Sequence, residues 1–186
     1  MSSSASDKSK LIELIKKLAI VHGKVTLSSG IEANYYVDLR RVTLHNEAAP
    51  LIGKLMIEML DESGIGNYDA VGGLTMGADP VATAMLHQAS FLGKTFDAFV
   101  VRKEAKSHGM GRQVEGPEVA GKSLIVIEDT STTGGSPLTA AAALEKAGGN
   151  ILAVATVVDR DTGAREAIAA KGYRYLSLIS LQELGL

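Results

Sequence analysis

Apolar residues recur along this chain with two periods. In residues 7–21, Leu11, Ile12, Leu14, Ile15, Leu18 and Ala19 return every three or four positions, the spacing of one helix face. Residues 46–63 repeat the pattern with Leu51, Ile52, Leu55, Met56, Met59 and Leu60, and residues 78–91 are read as a further helix. Short apolar runs at 69–73, 98–101, 124–127, 151–158 and 173–178 predict strands. A helix opened by Pro137 and running through Lys146 follows the third of these, and a short one after Asp159-Arg160-Asp161 runs through Ala170. Strands alternating with helices imply an α/β fold with a mostly parallel, doubly wound sheet. Residues 26–30 and 34–38 predict a hairpin, so that about 9–42 forms an N-terminal helix-and-hairpin flap over the sheet. The polar first eight residues are expected to be a frayed tail, and 1–186 a single domain.

Composition narrows the class. The chain has 186 residues, 46% of them hydrophobic, which suits one domain with a sizeable core. A formal net charge of -2 gives no general attraction for nucleic acid or membranes. Without cysteine there are no disulfides, thiolate nucleophiles or zinc–thiolate sites. The four histidines, His22, His45, His87 and His108, lack metal-ligand spacing. No apolar run is long enough to span a bilayer, and the polar start lacks a signal peptide's apolar core, so a soluble cytoplasmic protein is expected.

The chemistry concentrates in residues 124–136. Four apolar residues predict a buried strand, Glu128 and Asp129 fall where it should run out, and Thr130, Ser131, Thr132, Thr133, Gly134 and Gly135 form a small, hydroxylated loop. Ser136 is the expected N-cap of the next helix, with Pro137 at its first position. Free backbone N–H groups and the positive end of a helix dipole there converge on an anion. A nucleotide-triphosphate loop would need a lysine followed by Ser or Thr, and none is present. Acids ahead of a phosphate cradle suit a sugar phosphate instead: carboxylates take ribose hydroxyls while the loop holds the 5′-phosphate. The bland alternative is an ordinary strand–turn–helix with an exposed acidic pair.

This run resembles the phosphoribosyl-pyrophosphate (PRPP) motif of type I phosphoribosyltransferases. A second segment, Arg102-Lys103-Glu104-Ala105-Lys106-Ser107-His108-Gly109, is basic and follows a predicted strand. Cations there suit an expelled pyrophosphate, although an isolated charge run is more often a solvated tip. Together with Thr26-Leu27-Ser28-Ser29-Gly30, this segment is similar to orotate phosphoribosyltransferases, a likeness that covers residues 11–178. The resemblance implies transfer of ribose 5-phosphate from PRPP to orotate in pyrimidine (UMP) biosynthesis, with Mg2+ held by PRPP and no direct protein ligand. It implies that Arg102, Lys103, Lys106 and His108 bind the diphosphate, in a homodimer whose basic loop is shared across the interface. Glu128 through Ser136 would hold ribose 5-phosphate, Asp129 and Lys106 would be catalytic, and Thr132 would also touch orotate. Arg160 matches the family arginine that pairs with the orotate carboxylate; spacing alone would favour a salt bridge to Asp159 or Asp161. Tyr36 falls where the family has an aromatic near the pyrimidine, and a packing role is the alternative.

Two departures from the family pattern stand out. Ser28 replaces a common lysine, and Gly73-Leu74-Thr75-Met76-Gly77-Ala78 replaces a loop that commonly carries another near Gly77. Alternatives that share the phosphate motif are a transferase for another base, such as a purine, and a non-catalytic PRPP-sensing regulator. Arg160 and the basic loop favour orotate over the first, and the absence of a basic face argues against the second.

Overall fold

The structure, a computed structural model, describes residues 3–26, 32–104 and 112–186. Helix α1 (Ser3–Leu18) leads into an antiparallel pair, β1 (Ile20–Thr26) and β2 (Glu32–Val37), which forms a sheet of its own. After a short turn of helix, α2 (Arg40–Thr43), come α3 (Ala48–Glu62), β3 (Ala70–Leu74), α4 (Ala78–Phe91) and β4 (Asp97–Val101). The rest of the chain contributes β5 (Val114–Glu115), β6 (Ser123–Ser131), α5 (Gly135–Lys146), β7 (Asn150–Asp159), α6 (Ala164–Ala169), β8 (Tyr175–Ser180) and α7 (Leu181–Leu184).

The main sheet has the order β5-β4-β3-β6-β7-β8, parallel except for β5. Along β6 and β7 successive side chains enter opposite cores, as the two-residue repeat of a strand demands. Ile125, Ile127, Ala155 and Val157 pack into the core beneath α1, α3 and α4, whereas Leu124, Val126 and Val154 meet α5 and α6 on the other face. From β3 the chain moves to β4 through α4; from β6 it moves the opposite way to β7 through α5. The winding therefore reverses between β3 and β6, and beyond the strand C-termini at such a point a crevice opens.

Several expected bounds change. The start of the chain is helical from Ser3 rather than frayed through residue 8. Asp7 pairs with Lys54 of α3 at 2.5 Å and Lys8 with Glu183 of α7 at 2.8 Å, contacts no local pattern reveals. Strand β6 continues through the two acids to Ser131, because Thr130 and Ser131 pair with Val158 and Asp159 of β7. Helix α5 accordingly starts at Gly135, capped by Gly134 at φ 78°, with no side-chain cap bond. Ser136 and Pro137 therefore lie inside its first turn, where the proline's missing N–H still has no carbonyl to bond.

Candidate active site

At the reversal point the C-terminal ends of β3 and β6 meet almost backbone to side chain. A Cβ placed on Gly77 would lie 2.6 Å from Asp129 Oδ1 and 2.7 Å from Glu128 Oε1, so the β3 loop runs directly against the ends of the acidic pair. Thr75, in the same loop, donates its hydroxyl to Asp79 Oδ2 at 2.8 Å. Glu128 is 6% exposed; Oε1 accepts the Asp129 N–H at 3.3 Å and Oε2 is buried without a partner. Asp129 Oδ1 accepts the Thr130 N–H at 2.7 Å.

Burial, then the adjoining Asp129 carboxyl, push the Glu128 pKa well above the ordinary value of 4.5. The folded chain therefore binds this proton at pH values where the unfolded chain has lost it. Stability contributed by Glu128 is fully present below about pH 4.5 and is lost as pH rises through the raised folded value. Glu128→Gln should flatten that decline and stabilise the protein at pH 8 by on the order of 1–3 kcal/mol. Melting temperatures across pH 5–9 check this; parallel curves for the two proteins would sink it.

These groups line a cleft of about 340 Å³ together with Thr130, Thr132, Ser136, Lys103 and Arg160. Its other wall is the flap, which contributes Tyr36 and residues 37–40. Arg160 reaches the flap directly: its guanidinium lies 5.7 Å from the Tyr36 ring centroid and Nη2 donates to the Val37 carbonyl at 3.4 Å. One expected competitor for Arg160, Asp159, is engaged elsewhere. Asp159 faces Arg165 at 3.8 Å and accepts the Asp161 N–H at 3.0 Å, which shapes the turn that presents Arg160.

Other expected site residues stand apart from the cleft lining. Arg102 is turned toward Glu115, 3.8 Å away, and its N–H bonds Gln113 at the base of the β4–β5 connection. Ser131 is buried, and its carbonyl accepts the Arg160 N–H at 3.0 Å, so it supports the site from behind. Thr133, Gly134 and Gly135 form the turn into α5, where Gly134 needs both its positive φ and its closeness to Ile168, 3.2 Å from a Cβ at that position. Lys106, His108 and Ser28 lie outside the described residues. Sequence reasoning missed Asp38 and Arg40 as cleft residues; their polar character at the end of the second hairpin strand was the available signal.

The phosphoribosyl transferase domain model matches residues 41–181. The orotate phosphoribosyltransferase of Corynebacterium glutamicum is 59% identical over 182 residues, covering 98% of this chain and 96% of that one. Crystal structures of Mycobacterium tuberculosis orotate phosphoribosyltransferase cover 97% of this chain and 99% of theirs. The complex with Fe(III) dicitrate has 58% identity and a TM-score of 0.87, and the complex with PRPP 53% and 0.84. With the acidic pair, the glycine-capped helix and Arg160 facing one crevice at the sheet's reversal point, the chain belongs to the phosphoribosyl transferase family, among the orotate phosphoribosyltransferases.

Proposed function

We propose that the protein transfers ribose 5-phosphate from PRPP to orotate, releasing orotidine 5′-monophosphate and pyrophosphate. The observation that carries this reading is the sharing of one cleft by the phosphate-cradle residues Asp129, Thr132 and Ser136 and by Arg160 beside Tyr36. A guanidinium fork is the partner a planar carboxylate wants, and its stacking on Tyr36 leaves an edge-on place for a flat ring. Thr132, which lines the same cleft, is the residue that would touch both the phosphate and the base.

The ribose 5-phosphate is held by Thr130, Thr132, Thr133 and the N–H groups that open α5 at Gly135 and Ser136, with Gly134 and Ser131 shaping the turn. Asp129 takes the ribose hydroxyls. As the anomeric bond to pyrophosphate lengthens, positive charge grows on the ribose, and Asp129, beside the proton-bearing Glu128, lies where negative charge favours it. Lys103 lines the cleft, and Arg102, Lys106 and His108 complete the basic segment that meets the leaving diphosphate. Orotate's ring nitrogen attacks from the opposite side, with inversion and no covalent intermediate.

Magnesium fits this donor set. Among the described residues no three His, Cys, Asp or Glu side chains form a metal cluster, whereas Glu128 carries a buried, unpartnered oxygen next to Asp129. An ion held mainly by diphosphate and ribose oxygens, with those carboxyls beside it, would offset the charge of the diphosphate. The protein is expected to act as a homodimer in the cytoplasm, with the basic segment reaching the partner's cleft. Among the described residues no helix is long and apolar enough to cross a membrane.

The test is ultraviolet absorbance of orotate with PRPP, magnesium and the pure protein, with hypoxanthine and adenine in parallel. Loss of the orotate signal that requires both PRPP and magnesium is expected; reaction of a purine instead would remove Arg160 from its role. Asp129→Asn should raise KM for PRPP by roughly tenfold, the cost of one charge-assisted bond to a ribose hydroxyl, while the melting temperature holds. Unchanged PRPP kinetics in that variant would count against the assignment.

A further inference from the structure

The β3-loop residues that line the cleft, Leu74, Thr75, Met76 and Gly77, bring no cation to it. Pyrophosphate nevertheless carries several negative charges that must be met there. Among the described residues, the positive side chains lining the cleft are Arg40, Lys103 and Arg160. Arg160 is committed to Tyr36 and the Val37 carbonyl. Arg40 bonds Asp38, two positions earlier, through its Nε edge.

Arg40 follows the flap's second strand and faces the cleft from the wall opposite Gly77. Its Nε donates to Asp38 Oδ1 at 2.9 Å, and its side chain is 47% exposed. That bond occupies one edge of the guanidinium and leaves terminal nitrogens for a second partner. Attraction to Asp38 first, then to Tyr36 and Asp129, holds Arg40 above its usual pKa; Arg40 is thus near enough to the ribose-side carboxylate to sense its charge.

We propose that Arg40 is a binding residue for the diphosphate of PRPP, with Asp38 as the partner that orients it at the cleft wall. This rests on the PRPP reading above. The flap then does more than cover the base: it delivers a cation to the end of the cleft where the β3 loop has none. Arg40 would change little in orotate recognition, because Arg160 already meets that carboxylate.

The experiment is calorimetry of the full chain with magnesium and three probes: inorganic pyrophosphate, PRPP, and orotidine 5′-monophosphate, which has the base carboxylate but no diphosphate. Arg40→Gln should weaken pyrophosphate and PRPP binding by about 10–100-fold, the loss of a charge-assisted bond, and leave orotidine 5′-monophosphate unchanged. Arg40→Lys, which keeps the charge but not the fork, should fall between. Asp38→Asn should bind pyrophosphate at least as tightly as the unsubstituted protein. In steady state the KM for PRPP should rise in Arg40→Gln while that for orotate stays constant. Unchanged pyrophosphate binding in Arg40→Gln at a normal melting temperature would overturn the proposal, as would an equal loss of orotidine 5′-monophosphate binding. Should the unsubstituted protein bind orotidine 5′-monophosphate but not pyrophosphate or PRPP, the PRPP reading fails first and this inference with it.

Discussion

Lys106→Ala is expected to lower the turnover number by roughly 10²–10³-fold, the loss typical of removing one preorganised donor from a developing charge. The residue lies three positions beyond Lys103, which lines the cleft. Charge on the diphosphate becomes localised as the glycosidic bond breaks, so a cation that meets it stabilises the transition state more than the bound substrate. The turnover number should therefore fall much further than PRPP affinity, and Lys106→Arg should recover part of it. Steady-state kinetics with saturating PRPP and magnesium measure this directly. A turnover number unchanged in Lys106→Ala would remove the residue from that role and leave Lys103 and Arg102 as the leaving-group cations.

Gly72→Ala is expected to cost about 3 kcal/mol or more, the upper end of what overpacking a rigid interior produces. The added Cβ would sit 2.0 Å from the Phe99 carbonyl oxygen and 2.6 Å from Phe99 Cδ2. Phe99 is itself buried at 2% exposure and its carbonyl belongs to the neighbouring strand, so neither atom can swing aside. Strand β3 is held between β4 and β6, and any shift also displaces the Thr75–Gly77 loop that borders the acidic pair. For a chain of this length the loss corresponds to a melting temperature lower by roughly 6–12 °C. Gly66→Ala is the control: nothing lies within 4 Å of its added Cβ, and the melting temperature should stay within about a degree or two. A Gly72→Ala protein that melts with the unsubstituted chain would show that β3 has room the structure does not.

Local pattern was enough for the long elements. Helices α3 and α4 and strands β3, β4 and β7 fall within about two residues of the bounds their apolar periodicity predicts, because each buries a face that the spacing encodes. The short elements α2, β5 and α7 were invisible: two to four residues carry no period, and α7 is set by the Ser180–Glu183 capping box at the end of β8. The length of β6 was misjudged for another reason. Glu128, Asp129, Thr130 and Ser131 read as the start of a loop, yet pairing with β7 supplies their backbone bonds and keeps them in the sheet. The helix cap moved with it, from Ser136 to Gly134.

By itself, the sequence determined the α/β class, the acidic pair ahead of a glycine-rich turn, and hence a sugar-phosphate chemistry, since these depend on neighbours within a dozen residues. Arg160 became a candidate through family resemblance, since its neighbours alone favoured a salt bridge to Asp159 or Asp161. Only the tertiary structure decided which partners these residues meet. Arg160 faces Tyr36 and Val37, more than a hundred positions away, rather than the adjacent acids. Glu128 is buried where β6 meets the β3 loop, and that burial together with the adjoining Asp129 raises its pKa. Arg102 turns to Glu115, and Arg40 enters the cleft from the flap. Charge, burial and reach across the cleft depend on contacts between segments distant in the chain, and only the completed sheet brings those segments together.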